Sequence, residues 1–312
     1  MPPKPAPIRR LDGLLFFPVT AFTPDGAFAE GPYREHVAAR LADGPGGVFA
    51  ACGTGEFPAL APDEYRSVVA AAVAAVAETS GGRVPVIGGC GYGTALATVY
   101  AHAAEEAGAD GLLVLPPNGV DGGQEGLLRH YTALAESTDL DLILYQRDNT
   151  VFSPDTVVRL AEVPNIVGFK DGRGDLDLML RIVSAVRTGG RSDFQYFNGM
   201  PTAEVTQQAY RAIGVPLYSS AVFCFAPDIA LAFCRALAAE DHKTVDTVVD
   251  VFFRPYVELR HSRPGYAVSL VKAATRAVGH EVGRVRAPLE EPAPEHVDRV
   301  LALIAQVRAA LG

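Results

Sequence analysis

No apolar stretch of the 312-residue chain is long enough to cross a bilayer, and the proline-rich start, Met1 to Pro7, lacks the apolar core of a secretory leader. A cytoplasmic protein is expected. Positive charge is also short: 27 lysines and arginines against 36 aspartates and glutamates leave a net charge of −9, a surface that repels nucleic acid and anionic membranes. The four cysteines, Cys52, Cys90, Cys224 and Cys234, are scattered without C-x-x-C spacing, and three sit in or beside apolar runs; they read as reduced core residues. No H-x-H or H-E-x-x-H pair offers metal-ligand spacing. A G-x-G-x-x-G with an acidic residue at the proper distance is missing, which argues against a dinucleotide site, and Gly88-Gly-Cys-Gly-Tyr-Gly93 reads as a tight strand-to-helix turn. Internal repeats and low-complexity segments beyond the start are absent. Chemistry on a small molecule, without metal or organic cofactor, is the class that remains.

What is present is a regular alternation. Short apolar runs at Leu14–Thr20, Gly47–Cys52, Val84–Cys90, Gly111–Pro116, Leu140–Gln146, Ile166–Lys170, Phe194–Asn198 and Val215–Ser219 are each followed by a helical segment. Strands apolar along their whole length are those buried on both faces of a parallel sheet. Eight strand and helix units predict a closed (β/α)8 barrel over residues 13–240, an open doubly wound sheet being the alternative. Residues 1–12 read as a flexible tail. Beyond residue 241 the pattern is helix without strand, Lys243–Arg260, Tyr266–Val278 and Pro294–Leu311, a C-terminal helical extension over 241–312.

The most informative position is Lys170, which ends an apolar strand just before the turn signals Asp171, Gly172 and Gly174. Strict alternation puts Lys170 on one face with Gly168 and Ile166, and Val167 and Phe169 on the other; Gly168 leaves room beside the amine. A lysine walled by apolar groups loses hydration, its pKa falls, and the neutral amine becomes a nucleophile toward carbonyl carbon. The competing view is a lysine that caps the strand and pairs with Asp171.

In a barrel the strand ends share one mouth. Tyr145 ends the neighbouring strand, and a phenol beside a reactive amine relays protons, the amine's partial charge lowering the phenol's pKa. Gly53-Thr54-Gly55-Glu56, after the second strand, offers a hydroxyl and flexible backbone N–H groups that suit a carboxylate. Ser219 and Ser220 end the last strand and add hydroxyls.

Gly53-Thr-Gly-Glu56, Tyr145 and Gly168-Phe-Lys-Asp171 stand in the order, and on the strands, of the dihydrodipicolinate synthase and N-acetylneuraminate lyase family, which the chain resembles over nearly its whole length. Ala51–Phe57, Tyr145–Asn149, Gly168–Asp175, Gly199–Val205, Gly214–Phe223 and Gly265–Ala273 look most like its 5-dehydro-4-deoxyglucarate dehydratase branch. The resemblance implies a Schiff base on Lys170, proton handling by Tyr145, and a carboxylate held by Thr54 with the Gly55 backbone. Gly199, Ser219, Ser220 and Arg147 are candidate further substrate contacts, and Arg147 and Arg173, each following a strand end at the mouth, are the candidates for a distal carboxylate. Two departures stand out: Gly53 replaces a second hydroxyl residue, and Asn118 and Gly119 replace the tyrosines of the synthases. The implied reaction is decarboxylating dehydration of a 2-oxo sugar diacid; the alternatives are an imine-forming aldolase or lyase on a related 2-oxo sugar acid and a silent 2-oxo-acid-binding barrel. A homo-oligomer, tetramer or dimer, is the implied assembly.

Overall fold

The computed structural model describes residues 8, 11–117 and 119–312. Eight parallel strands close on one another in sequence order: β1 (Leu15–Phe16), β2 (Gly47–Ala50), β3 (Val86–Cys90), β4 (Gly111–Val114), β5 (Asp141–Gln146), β6 (Ile166–Asp171), β7 (Gln195–Asn198) and β8 (Leu217–Ser220). The barrel closes by pairing β1 with β8, Leu15 opposite Ser219 and Phe16 opposite Ser220. Helices α1 (Glu30–Leu41), α2 (Pro62–Ser80), α3 (Thr94–Glu106), α4 (Gln124–Glu136), α5 (Pro154–Ala161), α6 (Leu176–Thr188), α7 (Gln207–Ala212) and α8 (Pro227–Ala238) cover it. The architecture is the expected barrel with a C-terminal helical extension. Among the described residues no helix is long and apolar enough to cross a membrane.

The two apolar faces of each strand build two cores. One lies between sheet and helices, and a smaller one inside the barrel joins Leu15, Phe17, Phe49, Ile87, Leu113 and Ile143. Ile8 and Leu11, from the stretch expected as a tail, are buried in the interior cluster, and Leu11 donates its N–H to Gln195 Oε1 at 2.7 Å.

Strict alternation fails on β6. Ile143 of β5 lies opposite Gly168 while its predecessor Leu142 lies opposite Ile166, so Val167 is an extra residue, a bulge. The bulge moves Ile166 to the outer core and Val167 to the interior, the reverse of the expectation for these two, while Lys170 stays inward. The space over Gly168 is also not the amine's: a Cβ there would come within 2.8 Å of the Phe197 ring.

The helix expected over 202–213 is a 3-10 turn, Ala203–Val205, followed by the short α7. Asn198 explains the break, because its Nδ2 donates to the Ala203 carbonyl (3.1 Å) and takes up an acceptor that a continuous helix would use. The extension comprises α9 (His242–Val248), α10 (Arg254–His261), α11 (Tyr266–Ala277) and α12 (Pro294–Leu311). A π-helical stretch, Val249–Phe253, joins α9 to α10 where one continuous helix was expected. Pro255, just inside α10, has no N–H to return to the preceding turn, and the wider turn accommodates the loss.

Candidate functional site

The strand ends β1, β2, β4, β5, β6 and β8, with the loop after β7, surround a cavity of about 160 Å³. Its wall includes Lys170, Tyr145, Thr54, Ser219, Gly199 and Arg147, six of the residues singled out from sequence. Larger hollows exist elsewhere on the molecule, but none of them contains the lysine.

Lys170 is only 4 % exposed. Its Nζ donates to Ser219 Oγ at 3.2 Å and lies 4.1 Å from the centre of the Phe17 ring and 5.1 Å from that of Tyr145. Burial, with a contribution from the positive charge of Arg147, lowers its pKa from 10.5 to about 7. Asp171 is not its partner. That carboxylate faces the other side of β6, where it accepts from Gln146 Nε2 (2.8 Å), the Arg173 N–H (3.0 Å) and the Tyr210 hydroxyl. The amine therefore sits in an apolar wall, held by a neutral hydroxyl, with its neutral form within reach near pH 7.

Tyr145 donates its hydroxyl to the Gly199 carbonyl at 2.8 Å. Here the pKa expectation is reversed: burial raises the phenol's value, and Arg147 opposes this without overcoming it. Burial dominates, so the resting phenol is protonated. Gly199 is fixed by close approach, since a Cβ there would fall 2.7 Å from the Tyr145 ring and 2.8 Å from the Lys170 side chain. It lets the loop after β7 seat both reactive groups.

Thr54 lines the cavity, while Gly55 is buried behind it and accepts the Thr20 hydroxyl on its carbonyl at 2.6 Å. Among the described residues, neither Thr54 nor Gly55 gives its N–H to a backbone carbonyl, and Gly55 itself is not on the cavity wall. Ser220 points away from the cavity, into the layer that holds Glu204, because successive strand residues face opposite sides; only Ser219 reaches the amine. Arg147 is on the wall. Arg173 instead donates to the Asp148 carbonyl (2.5 Å) and is not part of it. Gly119 is exposed on the loop after β4, and Asn118 lies outside the described residues.

Two features were missed from sequence. Arg260 and Tyr256 of α10 and Val271 of α11 complete the cavity, so the C-terminal helices form part of its wall. The Thr54–Gly55 turn is also anchored from that side: Lys272 of α11 donates to Glu56 Oε1 at 2.7 Å, with the lysine side chain wholly buried and the glutamate nearly so. Glu56 also accepts the Arg286 N–H at 2.9 Å and holds a left-handed backbone, φ 57°. Both partners stand in stretches quoted above, but a contact across 216 residues has no local signal.

Residues 10–307 match the model of the dihydrodipicolinate synthetase family. The chain belongs to this family. A probable 5-dehydro-4-deoxyglucarate dehydratase from Streptomyces griseus is 60% identical over 312 residues, covering 99% of this chain and 96% of the relative. A protein of the same description from Chelativorans is 45% identical over 296 residues, covering 95% of each. Among solved structures, the dihydrodipicolinate synthase of Bacillus clausii superposes with a TM-score of 0.84 at 25% identity, covering 97% of this chain and 98% of the synthase. The chain is thus an enzyme of the lyase class, and the mouth of its dihydrodipicolinate synthetase family barrel is where Lys170 and Tyr145 converge.

Proposed function

We propose that the chain converts 5-dehydro-4-deoxyglucarate to 2,5-dioxopentanoate, carbon dioxide and water through an imine on Lys170. The observation that carries this reading is the charge of the cavity: a neutralisable amine and two guanidinium groups, Arg147 and Arg260, with no acidic side chain among the described wall residues. Such a wall suits a dianion with one ketone. The relatives named for this dehydration support the choice of substrate.

In this mechanism, Lys170 Nζ attacks the ketone while the adjacent carboxylate rests on Thr54 and its amide. Expulsion of the carbinolamine oxygen as water takes the Tyr145 proton. The phenolate that remains is stabilised by the new iminium and by Arg147, which reverses the unfavourable pKa of the resting state. It then removes a proton from the methylene beside the iminium, forming an enamine and restoring the phenol. The enamine expels the neighbouring hydroxyl, again protonated by Tyr145, as the second water. Conjugation now reaches the carbon bearing the distal carboxylate, so loss of carbon dioxide sends its bonding pair into the iminium. Tautomerisation and hydrolysis release the aldehyde product and Lys170. One phenol serves each transfer in turn, so the missing loop tyrosines leave no gap in proton supply up to the dehydrated iminium.

Incubation with 5-dehydro-4-deoxyglucarate is expected to release carbon dioxide and a dioxo acid aldehyde in equal amounts. Two shorter carbonyl fragments without carbon dioxide would instead establish a carbon–carbon lyase. The homo-oligomer, the cytoplasmic location and the division into barrel and extension belong to the same reading.

A further inference from the structure

Arg260 is an unusual arginine. It is only 6 % exposed, yet no carboxylate among the described residues pairs with it. Its Nη1 donates to Thr202 Oγ1 at 3.0 Å and its Nη2 to His261 Nε2 at 2.6 Å, whereas its Nε is buried without any partner. Buried charges are ordinarily paired, and an unpaired one is costly. Glu204 couples to it electrostatically but forms no ion pair with it: it is 1 % exposed, neither carboxylate oxygen makes a well-formed hydrogen bond, and burial, opposed by Ser220 and by the charge of Arg260, holds its carboxyl up at about 7. A guanidinium so placed on the cavity wall has its anion missing from the protein itself.

We infer that Arg260, supplied by the C-terminal helices, binds the distal carboxylate of the substrate and selects a diacid over a monoacid. The inference rests on the function proposed above and goes further by assigning the second carboxylate. Arg147 is the weaker choice. Its side chain is 43 % exposed and its Nε already faces Asp148 Oδ2 at 3.5 Å, so solvent and that carboxylate compete for it. Arg260 is instead fixed before the ligand arrives. Thr202, which pins it, is itself held in a left-handed conformation, φ 54°, at the start of the turn after β7. A pre-oriented, largely desolvated guanidinium on the cavity wall gives a carboxylate a charge-assisted contact that a terminal CH2OH cannot match.

The test compares Arg260→Gln with the parent protein on three ligands: 5-dehydro-4-deoxyglucarate, its six-carbon analogue with CH2OH in place of the distal carboxylate, and pyruvate. Imine formation is read by borohydride trapping and mass. The variant is expected to lose at least about 100-fold in kcat/KM for the diacid. Adduct formation with pyruvate and with the monoacid stays within about 3-fold, which also shows that the variant is folded. Arg260→Lys recovers part of the preference, and Glu204→Gln leaves it in place. Unchanged diacid kinetics in Arg260→Gln, or an equal loss on all three ligands, overturns the assignment. Absence of any diacid adduct on the parent protein would defeat the proposed function instead, a different and separately visible result.

Discussion

Lys170→Met is expected to abolish turnover and, at neutral pH, to make the protein more stable. The catalytic half follows from the loss of the one amine, among the described wall residues, able to form an imine. The stability half follows from linkage. In the unfolded chain the lysine keeps its ordinary pKa of 10.5, and in the folded protein burial lowers it to about 7. Between those values the unfolded state binds more protons, so this residue's contribution to stability rises with pH across the window from about 7 to 10.5. At and below pH 7 the full cost applies, on the order of 5 kcal/mol from the size of the shift. Methionine fills a similar volume without that cost. Denaturant unfolding should therefore show the variant ahead of the parent by a few kcal/mol at pH 7, the gap closing toward pH 10.5. A variant less stable than the parent at pH 7 would mean that the amine is charged and well paired in the fold, which would contradict a neutral nucleophile.

The second large effect is expected at a residue that touches no substrate. Lys272→Met leaves Glu56 buried, with the Arg286 N–H as its remaining donor, and breaking one side of such a pair costs about 3–5 kcal/mol. Replacing both partners, Lys272→Met with Glu56→Gln, should recover much of that loss, because no buried charge is then orphaned. Function should also respond, since Glu56 adjoins Thr54 and Gly55. The single variant is expected to raise the KM for 2-oxo acids more than it lowers kcat, the pattern of a loosened binding turn. Chemical denaturation of the two single variants and the double variant measures the coupling directly. Strictly additive losses would show that the pair does not act as a unit.

Much of this was legible in the sequence, for physical reasons that can be located. The barrel was readable because strands buried on both faces are apolar along their length and because strand and helix never break step. The placement of Lys170 and Tyr145 on one cavity wall was readable because each stands within one residue of the end of such a strand, beside turn residues. What was not readable came from two sources. Local geometry beyond the simple period hid the β6 bulge, which exchanges the faces of Ile166 and Val167, and hid Asn198, which breaks the helix expected at 202. Long-range contact hid the rest: Arg260 in the wall and Lys272 on Glu56 come from helices whose own pattern says only that they pack against something. The phenol of Tyr145 belongs to both, since its pKa depends on how deeply the loop after β7 buries it.

The central claim is that Lys170 forms a covalent imine with the keto group of a 2-oxo diacid. Its most direct test is peptide mass spectrometry after borohydride reduction in the presence of 5-dehydro-4-deoxyglucarate, run across pH 5.5 to 9. The expected result is a single reduced adduct on the peptide that contains Lys170, its trapping rate rising about tenfold per pH unit below 7 and levelling above 8, as the amine loses its proton. An adduct on another lysine, or turnover with no adduct at any pH, would contradict it.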